Sequence, residues 1–416
     1  MEFFNVKSAD EVLSLIKQVV VPIDQVEQKH LSHALHDVLA EDIVAREHIP
    51  NFCRSTVDGY AVWAHDTFGA TETLPVFLQI VGEVKMGEAV TQQLKPGEAI
   101  YVPTGGMIPE GANSMVMIEY CENISGLLNV YKQVAPHENV IFRGEDVAEH
   151  SVVLTAGTRL YAPEIGVLAA LGVEYVPVRR KPVVGYLSTG DEIMPIATKQ
   201  LAVGEVRDMN GFTIGALTQQ WGFSFIYGGT VQDDPDTLKT RLAELLQQVD
   251  MLVISGGSSV GMQDFSVSAI QSLGEPGVFV HGISVKPGKP TIISMAGNKP
   301  VLGLPGHPAS ALTIYRIFGS AILSKLAGYN EADMERKPHL TAHLTKNVPS
   351  STGRTDYVRV KLNPDADGVW YAEPVLGKSG LISTFLHSDG MITVAAGKEG
   401  LKQGEIVSVQ LFHSLD

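Results

Sequence analysis

The chain has few cysteines and a deficit of positive charge. Only two of its 416 residues are cysteine, Cys53 and Cys121, which excludes a disulfide framework and the paired spacing of a zinc site. Its 31 lysines and arginines stand against 46 aspartates and glutamates, so the formal net charge is −15. That balance argues against nucleic acid and against an anionic membrane as partners, because both require a basic face.

Long apolar runs and targeting signals are also missing from the sequence. No stretch is apolar for long enough to span a bilayer. The first residues, Met1-Glu2-Phe3-Phe4, lack the basic and apolar regions of a signal peptide. The scarcity of cysteine suits a reducing compartment. We therefore expect a cytoplasmic protein, and the length allows two to four domains.

The first half of the chain changes character twice. Residues 1–46 and 140–181 mix helical and extended patterns and predict a helical and mixed linker domain. Helices are expected there from residue 8, with a capping box at its start, and over 24–38. Residues 47–139 contain short strand patterns split by glycine and proline, which predicts an inserted β-rich domain.

The second half of the chain contains two further patterns. Residues 182–330 alternate between strand and helix, which predicts a doubly wound parallel sheet. Residues 331–416 are again rich in strand patterns and predict a C-terminal β-barrel. The expected fold class is therefore multidomain α/β, with a central α/β domain, an inserted β-rich domain, a linker domain and a barrel.

One loop of the central domain is suited to an anion. It follows a buried strand pattern and runs Ser255-Gly256-Gly257-Ser258-Ser259-Val260-Gly261 before reaching Asp264. Its glycines let the backbone approach a ligand, and successive N–H groups with the following helix start favour negative charge. Asp264 itself has two interpretations, a helix cap or part of a metal site.

Loops with acidic and small residues follow other strands of the same predicted sheet. They contain Ser188, Thr189, Gly190, Asp191 and Glu192; Asp233 and Asp234; and Pro305 and Gly306. Parallel strands end at one edge, so these loops are expected to share a rim. Carboxylates beside anion-binding amides favour Mg²⁺, which links acids to substrate phosphates. Asp234 stands before a proline and predicts a helix cap, which leaves Asp233 as the freer carboxylate.

Two lysines are the cations expected near this rim. They occur in Lys286-Pro287-Gly288-Lys289-Pro290, where glycine and proline restrict the spacing. A lysine beside glycine suits a phosphate clamp. The alternative interpretation is a solvated turn, since turns of this composition are common.

Together these motifs resemble the molybdopterin molybdenumtransferase family, which includes bacterial MoeA and the C-terminal region of gephyrin. The resemblance rests on residues 255–261 with Asp264, on 286–290 and 304–308, and on 55–61, 104–106, 143–146, 188–192 and 353–357. It covers essentially the whole chain, in order.

The resemblance implies an enzyme of molybdenum cofactor biosynthesis, a molybdopterin molybdenumtransferase. Such an enzyme takes molybdate and adenylylated molybdopterin as substrates, inserts the metal with the help of Mg²⁺ and releases AMP. It is expected to be a homodimer, with molybdopterin adenylyltransferase and molybdoenzyme-maturation proteins as partners. The alternatives are a molybdopterin adenylyltransferase, which the four-domain length disfavours, and a gephyrin-like scaffold, which the intact set of acids disfavours.

The resemblance also assigns roles to individual residues. Catalytic roles fall on Asp58, Thr104, Asp146, Glu192, Asp233 and Asp264, and of these Glu192, Asp233 and Asp264 are the metal ligands. Cofactor-binding roles fall on Ser188, Thr189, Gly190, Ser255, Gly256, Gly257, Ser258, Gly261, Lys286, Lys289, Pro305, Gly306, Arg354 and Ser379. Because Asp58 and Thr104 belong to the inserted domain, the family resemblance implies an active site shared between two subunits.

Overall fold

The computed structural model describes residues 6–256, 267–335, 338–377, 380 and 383–413. The chain forms two compact units. The smaller unit comprises Glu41–Ala156 and Ala162–Glu174, and the larger unit comprises Met1–Ala40, Gly157–Tyr161 and Tyr175–Asp416. None of the described helices is long and apolar enough to cross a membrane. The four domain boundaries named above stay a prediction.

The first helix of the larger unit starts as its sequence predicts. It spans Ala9–Val19 and follows Ser8, whose hydroxyl accepts a hydrogen bond from the Glu11 N–H at 3.3 Å. The Glu11 carboxylate in turn accepts from the Ser8 N–H at 2.7 Å. These reciprocal bonds form the expected capping box. One turn later the helix buries Val12 and Ile16 completely, so capping and apolar spacing support the same element.

The helix predicted over 24–38 does not form, and that prediction was wrong. Val26–His30 is a strand that pairs antiparallel with Tyr175–Arg179, and a single 3₁₀ turn, Leu31–His33, follows it. The partner strand lies far along the chain, so the local pattern could not reveal it. His36 has a φ of 66°, a left-handed conformation through which no α-helix can continue.

The central sheet of the larger unit has six strands. They are β1 (Val183–Thr189), β2 (Ser224–Val231), β3 (Met251–Gly256), β4 (Pro276–His281), β5 (Ile292–Ala296) and β6 (Lys299–Leu304). Their spatial order is β2-β1-β3-β6-β5-β4, and β2, β1, β3 and β6 run parallel. The predicted α/β fold class is therefore confirmed.

The two strands of the sheet that come last in the sequence, β5 and β6, run antiparallel to each other. The alternation of strand and helix patterns does not predict this detail. Only Gly297 and Asn298 join β5 to β6, and Ala296 pairs with Lys299 across the turn. Parallel neighbours need a connection of a dozen residues or more, whereas two residues suffice for a hairpin. Gly297 has a φ of 61°, the left-handed conformation that a two-residue hairpin turn requires.

Helices cover both faces of this sheet. The described ones include Asn210–Gln220, Pro235–Gln248, Pro308–Ile314 and Ser320–Leu326, with the π-helical turn Tyr315–Gly319 between the last two. Tyr186 and Leu187 are neighbours in β1 but belong to different buried clusters, as alternation across a sheet requires. Leu242 packs with Leu187 on one face and Phe318 lies in the cluster with Tyr186. Burying each such side chain contributes roughly 1.5–3 kcal/mol.

The C-terminal part of the larger unit is a closed barrel, as predicted. Its strands are β7 (His339–Leu344), β8 (Thr355–Pro364), β9 (Trp370–Pro374), β10 (Gly390–Val394) and β11 (Ile406–Leu411). They pair in the circular order β8-β9-β7-β11-β10, and β10 returns to β8. Alternate residues such as Val360 and Leu362 fill the core. The short strand Val285–Lys286 pairs with the start of β8 and links the barrel to the central part.

The smaller unit is built on a six-stranded sheet. Its spatial order is Ser114–Met117, Gly59–Val62, Glu98–Val102, Val76–Glu83, Leu127–Val130 and Cys121–Ile124. The pair formed by Val76–Glu83 and Glu98–Val102 is parallel, and the other neighbours are antiparallel. Two shorter ladders join Arg54–Ser55 to Val140–Ile141 and Ile43–Val44 to Val152–Leu154. A helix, Ala162–Ala170, completes the unit.

Short ladders and helices complete the larger unit. Two-residue strands pair Ile193–Met194 with Val206–Arg207 and Val348–Pro349 with Gly400–Leu401. Further helices include Glu331–Glu335 and Ser383–Leu386.

Candidate functional site

The ends of four parallel strands meet at one edge of the central sheet. In β1, Ser188 pairs with Ser255 of β3, while Thr189 pairs with Gly256 of β3 and with Val231 of β2. Ser255 also pairs with Leu304 at the end of β6. The loops that follow these residues therefore begin side by side, which is where open α/β sheets bind ligands.

Asp233 is fixed at this rim by hydrogen bonds from β1 and its loop. The Thr189 hydroxyl donates to its Oδ1 at 2.9 Å, and the Asp191 N–H donates to its Oδ2 at 3.3 Å. In return, the Asp233 N–H donates to the Asp191 carboxylate at 3.1 Å. Two carboxylates therefore lie on adjoining loops, each bonded to the backbone of the other. Asp191 was not among the predicted site residues, although it stands beside Glu192 in the predicted loop.

Two glycines of the rim are required by their surroundings. Gly256 has a φ of 141°, and a Cβ there would lie 1.8 Å from the Thr189 carbonyl oxygen. Gly190 has a φ of 147°, and a Cβ there would lie 2.8 Å from a carboxylate oxygen of Glu192. Only glycine suits such backbone angles without strain. The Glu192 carboxylate therefore lies directly over the backbone at the end of β1.

Asn210 connects two loops of the rim, and sequence reasoning missed it. Its side-chain amide donates to the Ser255 hydroxyl at 2.9 Å and to the Gly306 carbonyl at 2.9 Å. It is the first residue of the helix Asn210–Gln220. The signal that could have found it is position, because the residues at the start of a helix beside a sheet's carboxyl edge face the ligand site.

Asp208, just before that helix, is also missed by sequence reasoning. It is 3% exposed and accepts hydrogen bonds from the Tyr227 hydroxyl at 2.8 Å and the Gly211 N–H at 3.0 Å. Burial, together with the hydrogen bond and charge of Asp208, raises the pKa of Tyr227 above its ordinary value. Tyr227 therefore stays protonated and serves as a donor that satisfies the buried carboxylate.

A second group of predicted residues surrounds a cavity of about 880 Å³ between the central part and the barrel. Lys286, Lys289 and Arg354 line it, together with Asp356. Asp356 is 2% exposed; its carboxylate accepts from Arg354 Nε at 2.8 Å and lies 3.8 Å from Lys286 Nζ. The side chains of Lys286 and Arg354 are 59% and 36% exposed, so positive charge remains accessible from the cavity. Asp356 is a further site residue that the sequence reasoning quoted in a motif but did not assign.

In the smaller unit, the structure places two predicted residues in contact. The Thr104 N–H donates to the Asp58 carboxylate at 2.8 Å, and both residues are exposed. Asp58 immediately precedes the strand Gly59–Val62, where a Cβ at Gly59 would lie 1.9 Å from the Val116 carbonyl oxygen. Close strand packing thus fixes the position from which Asp58 projects. Asp146 is also exposed, and its N–H donates to the Ile49 carbonyl at 3.2 Å.

Five of the predicted site residues lie outside the described residues, namely Gly257, Ser258, Gly261, Asp264 and Ser379. Within the described parts of the chain, no three histidine, cysteine, aspartate or glutamate side chains are grouped so that they could hold a metal ion. The predicted metal ligands are Glu192, Asp233 and Asp264. Because Asp264 lies outside the described residues, this ligand set stays a prediction.

The fold is that of an α/β protein with acidic residues at the edge of its central sheet and basic residues around a separate cavity. Comparison with known proteins specifies its class. Residues 7–172 match the MoeA N-terminal region (domain I and II), residues 185–325 match a molybdopterin-binding domain, and residues 341–412 match the MoeA C-terminal region (domain IV). The chain therefore belongs to the MoeA family of molybdopterin molybdenumtransferases, enzymes of molybdenum cofactor biosynthesis.

Individual relatives match over nearly the full length. A Methanocaldococcus jannaschii protein named "Putative molybdopterin biosynthesis protein" is 33% identical, and the match covers 97% of each chain. The molybdopterin molybdenumtransferase of Bacillus subtilis is 32% identical over 92% of this chain and 88% of its own. A solved MoeA structure from Pyrococcus horikoshii has a TM-score of 0.83 at 30% identity and covers 98% of this chain and 100% of that one.

Proposed function

We propose that this molybdenumtransferase inserts molybdate into adenylylated molybdopterin in an Mg²⁺-dependent reaction that releases AMP. The observation that carries the proposal is the pairing of Thr189, Asp191 and Asp233 at the carboxyl edge of the sheet. A phosphoanhydride has to be positioned and its charge stabilised before it is broken, and an acidic rim beside glycine-rich loops suits that task when a divalent cation is present.

The donors present at the rim fit Mg²⁺. This ion prefers oxygen ligands and is usually held by one or two carboxylates together with substrate phosphates. Asp233 and Glu192, with Asp264, are the residues that would hold it, and its chemistry would be to neutralise charge on the bridging phosphates. The hydroxyl of Thr189 fixes Asp233 Oδ1, so the carboxylate is oriented before any ligand arrives.

The cavity around Asp356 suits the oxyanion substrates. Lys286, Lys289 and Arg354 would bind molybdate or the phosphate of molybdopterin, with Ser379 as a further candidate. Arg354 presents a fork of donors that matches a tetrahedral oxyanion, while Lys286 contributes a compact charge. Asp356 holds Arg354 in place through the bond at 2.8 Å.

The proposal includes a homodimer in the cytoplasm. Asp58, Thr104 and Asp146 would act from a second copy of the chain, and the exposed pair formed by Asp58 and Thr104 supports such a role. Both cysteines are free thiols, which suits a reducing compartment. Molybdopterin adenylyltransferase would supply the substrate, and proteins that mature molybdoenzymes would receive the product.

AMP release tests the proposed reaction directly. Purified protein is incubated with adenylylated molybdopterin, molybdate and Mg²⁺, and AMP is measured over time. We expect Asp233→Asn to lower the rate by about a hundredfold or more, since it removes a charge at the phosphate site. Asp236→Asn, an exposed carboxylate in the first turn of Pro235–Gln248, is the matched control and should keep wild-type activity. Equal rates for Asp233→Asn and wild type, or AMP release without Mg²⁺, would contradict the proposal.

A further inference from the structure

A second cavity of about 750 Å³ lies elsewhere in the larger unit. Its walls come from the helix Ala9–Val19, the end of the helix Asn210–Gln220, the π-helical turn Tyr315–Gly319 and the residues that follow β11. None of the described residues that line it also lines the cavity around Asp356. It is therefore separate from the site proposed for molybdate.

Arg316 on the wall of this cavity forms no ion pair with any of the residues that the structure describes. Its guanidinium carbon lies 4.2 Å from the centroid of the Phe412 ring. Its Nε is buried and makes no hydrogen bond in the described structure. Burial alone lowers the pKa of Arg316 to about 10, so the group is still charged at neutral pH. A desolvated charge of this kind is costly unless something pairs with it.

Arg159 lines the same cavity and has a similar environment. Its guanidinium lies 5.4 Å from the ring centroid of Tyr161 and 5.5 Å from that of Tyr329. One Nη donates to the Trp221 carbonyl at 3.4 Å, while its buried Nε has no hydrogen-bond partner among the described residues. The cavity thus has two arginines with unused donors set among aromatic rings.

The backbone at Arg316 is unusual as well. Tyr315–Gly319 is a π-helical turn between two α-helices, and such turns are rare and occur often at functional sites. The Ser320 hydroxyl donates to the Arg316 carbonyl at 2.5 Å. The helix therefore departs from regular geometry at Arg316, whose buried Nε has no hydrogen-bond partner among the described residues.

We propose that this cavity binds a small carboxylate carried on a planar, largely apolar group. A carboxylate matches the forked donors of arginine, and Trp221 and Phe412 provide flat walls for a ring. Three cations line the cavity, namely Arg159, Arg316 and Lys17. Asp10 and Asp333 line it too, so these five side chains leave one positive charge and favour a ligand with a single negative charge over a polyanion. This site is distinct from the molybdenum insertion proposed above and does not depend on it.

Fluorine NMR with three matched probes tests the proposal. The full-length protein is titrated with 4-fluorobenzoate, with the neutral 4-fluorobenzamide and with 4-fluorophenyl phosphate. We expect saturable binding of the benzoate and binding of the amide that is about tenfold weaker or worse, because a charged hydrogen bond is lost. Arg316→Met should weaken benzoate binding by about tenfold or more and leave amide binding unchanged.

Controls separate loss of the site from loss of the fold. Arg241→Met removes an exposed arginine that pairs with Glu244, and it should bind the benzoate as wild type does. Arg316→Lys and Arg159→Met provide independent variants, each accepted only if its thermal unfolding midpoint stays near that of wild type. Three results would each overturn the proposal: no saturable benzoate binding, tighter binding of the phosphate than of the benzoate, or benzoate binding unchanged in properly folded Arg316→Met and Arg159→Met variants.

Discussion

At the residue scale, one buried carboxylate organises the positive side of the candidate site. Asp356 lies at the start of β8, where the backbone pairs it with Lys286, and its carboxylate also binds Arg354. Two cations share one acid, so a net positive charge is left facing the cavity. A carboxylate that is almost fully buried also restricts the rotamers of the cations it holds, which prepares them for an incoming oxyanion.

We predict that Asp356→Asn weakens the use of molybdate. The amide keeps the shape of the side chain but no longer attracts Arg354 and Lys286, so both cations lose their orientation. The KM for molybdate should rise about tenfold, the effect of one charged hydrogen bond, with a smaller change in kcat. Steady-state AMP release at varied molybdate measures both constants. Asp367→Asn, on an exposed turn of the barrel, is the control, and an unchanged KM in Asp356→Asn would contradict the positioning role.

A different residue-scale prediction concerns the close approach of β3 to β1. Gly256→Ala would place its Cβ 1.8 Å from the Thr189 carbonyl at a φ of 141°, so we expect destabilisation of about 3 kcal/mol or more. Gly229→Ala is the matched control, since its φ of 91° is also unfavourable but no atom lies within 4 Å. Urea unfolding of both variants separates the clash from backbone strain. Equal losses of stability in the two would show that the contact with Thr189 can relax.

At the scale of whole elements, local sequence patterns predicted the helices and strands whose signals are local. They did not predict a strand that depends on pairing with a segment far along the chain. Asp234 caps the helix Pro235–Gln248, as predicted, because an aspartate that precedes a proline is a local signal. The strand Val26–His30 was mistaken for helix because its stability comes from a partner that follows much later in the chain. Asp233 could be predicted because it follows a strand of the parallel sheet. Asn210 could have been found from its position at a helix start, whereas the role of Asp356 depends on its contacts with Arg354 and Lys286 in the folded structure.

The cap of Pro235–Gln248 predicts a pH-dependent stability. Asp234 accepts a hydrogen bond from the Thr237 N–H at 2.9 Å, and bonds to Thr237 lower the pKa of its carboxyl below the ordinary 3.8. A lowered carboxyl pKa stabilises the fold above pH 3.8, and the effect is lost as the pH falls through the lower, folded-state value. Asp234→Asn should therefore reduce protection of the Thr237 amide against hydrogen exchange at pH 7.

The same comparison at acid pH completes this test. Once the wild-type carboxyl is protonated, it offers the helix no more charge than asparagine does, so the protection factors of the two proteins should converge as the pH falls through the lowered pKa of Asp234. Asp236→Asn controls for the loss of one negative charge in the same turn. A difference between wild type and Asp234→Asn that stays constant after the wild-type carboxyl is protonated would show that the charge of Asp234 has no part in the cap.

At the scale of the whole molecule, the predicted site residues divide between the two compact units. The rim acids and the cations around Asp356 belong to the larger unit, while Asp58, Thr104 and Asp146 belong to the smaller one. If the active site is shared in a homodimer, a substrate would be held by the larger unit of one copy and the smaller unit of the other. When two chains with different mutations are mixed, activity should then be recovered only if the two mutations lie in different units.

Mixed dimers provide the corresponding test. Asp58→Ala and Asp233→Ala are each expected to be nearly inactive as homodimers, since each removes a carboxylate from every site. In a heterodimer of the two, one site carries both changes and the other carries neither, so random mixing in equal amounts should restore about a quarter of wild-type AMP release. Mixing Asp58→Ala with Thr104→Ala, both in the smaller unit, should restore nothing. Recovery in neither mixture would mean that each site is completed within a single chain, because a site contained in one chain cannot be repaired by a partner with a different defect.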